Sequence, residues 1–332
     1  MKRFLKIVLG IILTLIVLII GARFYIKYVY LVPNPSELMF SKNDATINFI
    51  WETQINSVNQ LEKSAMFLPI KLAGCPKTFY MQFDLGAPTT RFYENKLDAI
   101  NLKYKVCTID STESQKTLKN FAFSLNNLKI KVKTVNVNRY SDDAIDWKNE
   151  TEPVIIGTIG SDLIENKILM IDYPNTKILL SEKLPDSISK KAKLTKFIFP
   201  NRKIFIPTTI GGLQSDVLFD TGSSVCDLMT SKENYDILAD KNAKPHRNDG
   251  YTWGEKTYSF TTTSSAIYKF DAFSIPCKTV SYPGIDENWK RIGLKFGMYR
   301  LKILGITGNK MFLDKKVIID TKNLKFGIIE KN

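Results

Sequence analysis

Apolar and polar residues alternate in short runs along most of this chain of 332 residues. The clearest example is residues 128–137, where the alternation is strict, as is typical of a strand with one face in solvent. No stretch beyond the N-terminus is dominated by the period of an amphipathic helix. The pattern therefore predicts a mainly β protein, and the length allows two domains that each bury a core.

The N-terminus has a different pattern. Residues 7–22 form an apolar run that follows three basic residues and precedes an aromatic group. This arrangement predicts a transmembrane helix, with its N-terminus in the cytoplasm and the following chain outside. A cleaved signal peptide is the alternative, because small residues at positions 21–22 lie near a cleavage point. The protein would be a single-pass membrane protein in the first case and secreted in the second.

The rest of the chain contains an internal duplication. Residues 81–90 and residues 217–224 each carry an apolar lead, a Phe-Asp pair, a glycine two residues after the aspartate, and then small or hydroxyl-bearing residues. A Phe-x-Pro sequence precedes each copy. A Gly-x-x-Gly sequence and a final strand ending in aspartate follow each copy, at residues 157–172 and 305–320. So many matches in one order indicate two copies of one fold unit.

The duplication also predicts the domain boundaries. It brings Asp84 and Asp220 to equivalent places, one in each copy. The predicted parts are an anchor or signal segment at residues 1–30, a stalk at 31–64, a first lobe at 65–182, a linker at 183–195 and a second lobe at 196–332.

These two aspartates are the best candidates for chemistry. Two carboxyl groups within hydrogen-bonding distance share one proton, and together they can activate a water molecule for attack on an electrophilic carbon. His246 is the only histidine, which disfavours mechanisms with a histidine base, and its polar surroundings predict a surface residue. Because neither a phosphate-binding loop nor a metal-ligand spacing occurs, we predict a reaction without cofactor or metal.

With these motifs the chain resembles the pepsin-like and retropepsin-like aspartic peptidases. Residues 219–224, Phe-Asp-Thr-Gly-Ser-Ser, are similar to their catalytic signature. Residues 157–163 and 308–328 resemble the segments that run behind the active-site loops in that family. The resemblance covers residues 65–330 and implies a two-lobed pepsin-like aspartic protease fold made of duplicated double-psi-type β lobes.

The resemblance implies that Asp84 and Asp220 are the catalytic pair of an aspartic-type endopeptidase. In the family, the glycine after each aspartate lets the two loops approach, and nearby hydroxyl groups tether the carboxylates. The residues of this sequence that match these supporting positions are Gly86, Thr221, Gly222 and Ser223.

The first copy departs from the family pattern. Leu85 stands where the family has a threonine that makes a hydrogen bond to the other lobe, and Ala87 replaces a second hydroxyl. The family's covering hairpin, with a tyrosine followed by a glycine-containing turn, has no match, because no glycine occurs between residues 86 and 157. Tyr104 and Tyr140 are the candidates for the aromatic residue that covers the cleft.

Two functions therefore stay open. The first is a membrane-tethered aspartic endopeptidase that hydrolyses a peptide or protein substrate with Asp84 and Asp220. The second is a catalytically weakened pepsin-fold module that binds a peptide without cleaving it, which Leu85 and the missing hairpin signature favour. One chain supplies both aspartates, so a monomer suffices.

Charge and cysteine content add little to this choice. The formal net charge of +14 comes from scattered basic residues with a local concentration at residues 183–196, and no nucleic-acid-binding motif accompanies it. We predict a solvated basic surface without a nucleic acid partner, the alternative being attraction to an acidic substrate or an anionic membrane. One disulfide in each lobe and free thiols are both open for the four cysteines, Cys75, Cys107, Cys226 and Cys277.

Overall fold

The computed structural model describes residues 2–25, 36–51, 54–55, 60–61, 63, 65–113, 115–140, 145–149, 153–252, 255–284 and 303–330. Most regular structure in this part of the chain is β-strand, and helices are few, which confirms the predicted mainly β class. The strands build two barrel-like sheets and a third sheet that both halves of the chain share.

The N-terminal apolar run forms a helix, α1 (Lys2–Tyr25). None of the helices in the described ranges combines the length with the hydropathy that a membrane crossing requires. The predicted transmembrane helix therefore lacks support from the structure.

Part of the segment predicted as a stalk is built into the sheets. Its first two strands pair with strands much later in the chain, the third pairs with the strand at residues 66–72, and the last two pair with each other. The apolar side chains of Leu38, Ala45 and Ile47 are buried by these pairings. Strands this short give little local signal, because their partners decide their structure. The strands are β1 (Leu38–Phe40), β2 (Ala45–Asn48), β3 (Ile50–Trp51), β4 (Gln54–Ile55) and β5 (Gln60–Leu61).

The first barrel follows. Its elements are β6 (Met66–Leu72), β7 (Phe79–Phe83), β8 (Arg91–Tyr93), α2 (Glu94–Tyr104), β9 (Ile109–Ser111), β10 (Lys116–Leu125), β11 (Leu128–Asn138), β12 (Ile155–Ile159) and a 3-10 helix at Ser161–Ile164. The strands close in the order β6, β7, β12, β8, β11, β10 and back to β6. The pairs β7 with β12 and β8 with β11 are parallel, and the others are antiparallel. β9 adds to the outside of β10, β1 to β11 and β3 to β6.

The second barrel repeats the first, strand for strand. Between the barrels lie β13 (Ile168–Asp172), β14 (Lys177–Ser181), α3 (Asp186–Ser189), β15 (Lys193–Lys196) and a 3-10 turn at Pro200–Arg202. The elements of the second barrel are β16 (Ile204–Ile210), β17 (Leu213–Phe219), β18 (Leu228–Thr230), α4 (Lys232–Leu238), β19 (His246–Thr252), β20 (Glu255–Lys269), β21 (Ser274–Pro283), β22 (Ile303–Thr307) and a 3-10 helix at Asn309–Phe312. They close in the order β16, β17, β22, β18, β21, β20, with the same two parallel pairs.

A third sheet joins the two copies. The last strands, β23 (Lys316–Asp320) and β24 (Lys325–Ile329), pair with each other, and β23 pairs with β13 of the first copy. The order is β15, β24, β23, β13, β14, β2, and every pair is antiparallel. The sheet is symmetric about the β13–β23 pair, so β2 holds the place in the first copy that β15 holds in the second. The first copy therefore begins at β2, upstream of the predicted boundary at residue 65.

The packing behind the second Phe-Asp-x-Gly turn explains the repeated glycine motifs. Phe219 packs against Phe312 and Phe326, with ring centroids 5.7 and 5.2 Å apart. Gly308 lies so close to the turn that an added Cβ would be 1.4 Å from the carbonyl oxygen of Ser223. Only glycine permits this approach, which places β22 directly behind the loop that carries the aspartate.

All four cysteines are free thiols. Of the alternatives left open by the sequence, the structure has the one without disulfides.

Candidate active site

Asp84 and Asp220 occupy equivalent turns, at the ends of β7 and β17. The amide of Asp84 donates to the carbonyl oxygen of Ile159 at 3.0 Å, and the amide of Asp220 donates to that of Thr307 at 2.8 Å. Each aspartate is thus fixed by the parallel strand beside it. The backbone carbonyl oxygen of each aspartate accepts a hydrogen bond from the amide three residues later, which closes the turn.

The two carboxyl groups meet at one backbone amide. The N–H of Gly86 donates to Oδ1 of Asp84 at 2.9 Å and to Oδ1 of Asp220 at 3.1 Å. The N–H of Gly222 donates to Oδ1 of Asp220 at 2.7 Å, and that of Ala87 donates to Oδ1 of Asp84 at 3.1 Å. A Cβ on Gly86 would lie 2.5 Å from Cγ of Asp220, so a side chain there would push the pair apart. The structure therefore brings the two predicted aspartates into one site.

The electrostatics of the pair are unequal. Asp220 is 7% exposed, whereas Asp84 is half-buried. Burial raises the pKa of Asp220 well above its ordinary value, and the charge of Asp84 and a hydrogen bond with the Asp84 side chain raise it further. Two like charges this close cannot both form in a buried place without a large cost, which is why the charge of Asp84 adds to the rise in the pKa of Asp220.

Thr221 makes a cross-lobe contact beneath the pair. Its Oγ1 accepts from the amide of Leu85 at 2.9 Å and donates to the carbonyl oxygen of Phe83 at 2.8 Å. Leu85 is fully buried and has no hydroxyl with which to return the contact. The Thr221 hydroxyl thus contacts the backbone of the other lobe rather than a carboxylate, which differs from the predicted tether, and the apolar side chain at position 85 makes no reciprocal contact.

We expect Thr221→Val to lower the free energy of unfolding by about 2 to 3 kcal/mol, because the buried N–H of Leu85 and the carbonyl of Phe83 would lose their partner. Urea denaturation followed by tryptophan fluorescence measures the loss. Thr208→Val is a matched control, since this buried hydroxyl donates a single hydrogen bond, to the carbonyl of Lys269. It should cost about 1 kcal/mol. Equal losses in the two variants would show that Thr221 has no special role.

Two further polar side chains stabilise the turns that carry the aspartates. The sequence analysis did not identify them. Ser161 Oγ donates to the carbonyl oxygen of Leu85 at 2.7 Å, and Asn309 Nδ2 donates to that of Thr221 at 2.7 Å. These two residues follow the repeated Gly-x-x-Gly sequences at the same position. A polar residue at corresponding positions of both copies was the signal that could have identified them.

Gly222 and Ser223, which were also predicted to support the aspartates, contact Asp220 through their backbone amides. Gly222 donates its amide to Asp220 as described above. Ser223 donates its amide to the carbonyl oxygen of Asp220 at 3.0 Å. Among the described residues its hydroxyl makes no hydrogen bond to either carboxylate, so the predicted tether from the Ser223 side chain is not present.

Of the two tyrosines predicted to cover the cleft, Tyr140 packs against a tyrosine of the first barrel. Its ring stacks on Tyr93 with centroids 4.3 Å apart. The hydroxyl of Tyr93 hydrogen-bonds to Oγ1 of Thr158 at 2.8 Å. Burial raises the pKa of Tyr93, and the charge of Asp84 is a further cause. Tyr93, which the sequence did not single out, therefore connects Tyr140 to the surroundings of Asp84.

Tyr104 lies elsewhere. It ends α2 and packs against the edge of Trp147, with centroids 5.8 Å apart. Its place at the cleft stays a prediction. His246 is exposed at the start of β19, as predicted.

A hairpin is present in the first copy although the family's sequence signature for one is absent. β9 and β10 pair around a turn closed by the amide of Thr112, which donates to the carbonyl oxygen of Gln115 at 2.9 Å. This hairpin holds the place that β19 and β20 hold in the second copy. A cavity of about 500 Å³ lies between it and the end of β11, where Arg139 precedes Tyr140.

The described residues contain no group of three or more His, Cys, Asp or Glu side chains that could hold a metal ion.

No protein-family model and no curated protein sequence matches the chain. Among solved structures, an aspartic proteinase from Irpex lacteus is similar at 14% sequence identity. The match covers 87% of this chain and 98% of that chain, with a TM-score of 0.47. A likeness at this level carries no conclusion about chemistry.

Proposed function

We propose that this protein is an aspartic-type endopeptidase that hydrolyses peptide bonds with water activated by Asp84 and Asp220. The observation that supports it best is the shared Gly86 amide, which contacts both carboxyl groups where two equivalent turns meet. Two carboxyl groups held this close favour one charged and one protonated member, which suits general acid–base catalysis. The duplicated folding unit provides this arrangement within one chain.

In the proposed mechanism the carboxylate of Asp84 acts as the base. It takes a proton from a water molecule as the water oxygen attacks the peptide carbonyl carbon. The protonated Asp220 donates a hydrogen bond to the carbonyl oxygen and stabilises the charge that develops there. When the tetrahedral intermediate breaks down, Asp84 passes the proton it took from water to the departing amine nitrogen, and the carbon–nitrogen bond breaks as the carbonyl group of the new carboxylic acid forms. The pair then shares one proton again.

The proposal requires one carboxyl group to be charged and the other protonated. Because the pKa of Asp220 is raised by burial and by Asp84, its proton persists towards neutral pH and is lost as the pH rises further. We therefore expect cleavage from acidic to near-neutral pH, with a decline on the alkaline side.

Digestion of a peptide library, read by mass spectrometry across this pH range, tests the proposal. We expect new peptide termini that disappear when a statine-type inhibitor is added, since its tetrahedral hydroxyl group mimics the intermediate. An intact library at every pH, with the protein shown to be folded, would contradict peptidase activity.

A catalytically weakened peptide-binding module is the second candidate. Leu85 favours it, because the missing half of the cross-lobe contact leaves the pair less firmly held than a symmetric arrangement would. Binding of library peptides without cleavage, measured by affinity capture, would select this function. Tethering to a membrane through residues 1–30, a location outside the cytoplasm and a monomeric state stay predictions.

A further inference from the structure

Lys203 lies at the end of the β16–β17 ladder, where the charge of Asp220 acts on it. It comes directly before Ile204, whose partner in the β16–β17 ladder is Phe219, the residue before Asp220. Lys203 and Asp220 are the residues immediately beyond this last pair of the ladder, one on each segment, which places them next to each other. Residues that face each other in an antiparallel pair direct their side chains to the same side of the sheet.

The backbone around Lys203 is fixed on both sides. Its amide donates to the carbonyl oxygen of Pro200 at 3.0 Å, which closes the 3-10 turn before β16. The preceding residue, Arg202, is 2% exposed and forms a two-pronged ion pair with Glu165 of the first copy. Lys203 is thus held beside the pair by a turn that is itself anchored to the other lobe.

The first copy has no equivalent cation. The Phe-x-Pro sequences that begin at Phe67 and Phe205 align the two copies, and this alignment places Ala65 at the position of Lys203. Ala65 is a buried residue with an apolar side chain. The site therefore has a cation on the Asp220 side and none at the equivalent position on the Asp84 side.

The surroundings of Lys203 are partly desolvated. The residue is half-buried. Burial lowers the pKa of Lys203 to about 8, and the charge of Asp220 opposes this change. The ammonium form of Lys203 thus predominates at acidic and neutral pH.

We propose that Lys203 is a positioning residue for the aspartate pair: its ammonium group, opposite Asp220, stabilises the single negative charge that the two carboxyl groups share. The inference deepens the proposed peptidase function and rests on it for its kinetic consequence. A cation at this position favours the charged form of the pair and so extends the working range to lower pH.

The other ionisable groups near Lys203 and Asp220 come from three segments. Asp84 follows β7, Arg202 belongs to the turn before Lys203, and Glu165 follows the 3-10 helix of the first copy. Arg202 and Glu165 neutralise each other in their ion pair. Asp162 is buried beside them and accepts from the amide and the hydroxyl of Thr90, both at 2.8 Å. Because Lys203 carries the cation opposite Asp220, its removal should change the titration of the pair directly.

The kinetic test is the pH profile of kcat/KM for peptide cleavage. We expect Lys203→Met, which removes the charge and keeps most of the length, to move both limbs of the profile to higher pH by about one unit. Lys203→Arg should restore the acidic limb. Lys269→Met, at an exposed position of the same barrel, is the matched control and should leave both limbs in place. A loss of rate at every pH with unmoved limbs would indicate a merely structural role and overturn the inference.

A second measurement does not depend on activity. In protein labelled with ¹³C at aspartate carboxyl groups, the Asp220 signal is assigned by its loss in Asp220→Asn. Its titration midpoint should move to higher pH in Lys203→Met. An unmoved midpoint overturns the role of Lys203 even if the protein is a peptidase. A moved midpoint in a protein that cleaves nothing would support that role and contradict only the proposed function.

Discussion

Replacing either Asp84 or Asp220 with asparagine is expected to lower kcat for peptide cleavage by at least about 10³-fold, because general acid–base catalysis contributes effects of this size. Asparagine keeps the shape of the side chain and can still accept the hydrogen bonds from Gly86 and Gly222. It can neither take a proton from water nor hold the shared proton. The two residues act as a unit, so the double variant should be no worse than either single variant.

The controls for this experiment are exposed aspartates outside the site. Asp98 lies on α2 and Asp271 lies in the turn between β20 and β21, one in each half of the chain. Asp98→Asn and Asp271→Asn should leave kcat unchanged. Full activity in either active-site variant, measured with the same purified peptide and enzyme concentration, would rule out a mechanism based on the pair.

Replacing Arg202 with methionine is expected to lower the free energy of unfolding by about 3 kcal/mol, since it leaves a partly buried carboxylate without its partner. The guanidinium group donates to both carboxylate oxygens of Glu165, at 3.1 and 3.0 Å. Its Nη1 also approaches the carbonyl oxygen of Pro88 at 3.5 Å, in the turn after Asp84. The same carboxylate accepts the amide of Ser36 at 3.0 Å. The residue thus ties the start of the second barrel to the active-site turn of the first.

A double-mutant cycle with Glu165→Gln separates the pair from other effects of the change, with urea denaturation as the measurement. We expect the double variant to lose less stability than the sum of the two single variants. Each single variant leaves one charged group unpaired, whereas the double variant leaves none. The exposed ion pair between Lys193 and Glu330, at 3.1 Å, is the matched control. Lys193→Met should cost less than about 1 kcal/mol. An equally small loss for Arg202→Met would contradict a structural tie between the lobes.

The sequence predicted the features that occur in both copies of the duplicated unit. Asp84 and Asp220, with the glycine after each, could be located because both copies carry the same apolar lead and the same turn residues. Strict alternation likewise identified β11, since a strand with one wet face has a pattern that does not depend on its partners. The sequence also predicted that the Leu85 side chain makes no hydrogen bond to the other lobe, because an apolar side chain cannot form one like that of the Thr221 hydroxyl.

Features that depend on distant partners could not be predicted. β1 to β3 are short, and their strand structure comes from pairing with β11, β14 and β6. Lys203 and Tyr93 carry no motif, and their places near the aspartates follow only from strand register and packing. The Arg202 to Glu165 pair joins residues from different lobes. In each case the sequence gives the chemical group, whereas the topology decides its neighbour.

The most direct test of the central claim is a crystal structure of the protein bound to a statine-type inhibitor. We predict that the inhibitor's hydroxyl group lies between the carboxyl groups of Asp84 and Asp220 and is within about 2.6 to 3.2 Å of an oxygen of each. An inhibitor bound at another place, or a hydroxyl group that contacts only one of the two carboxyl groups, would contradict a shared catalytic site.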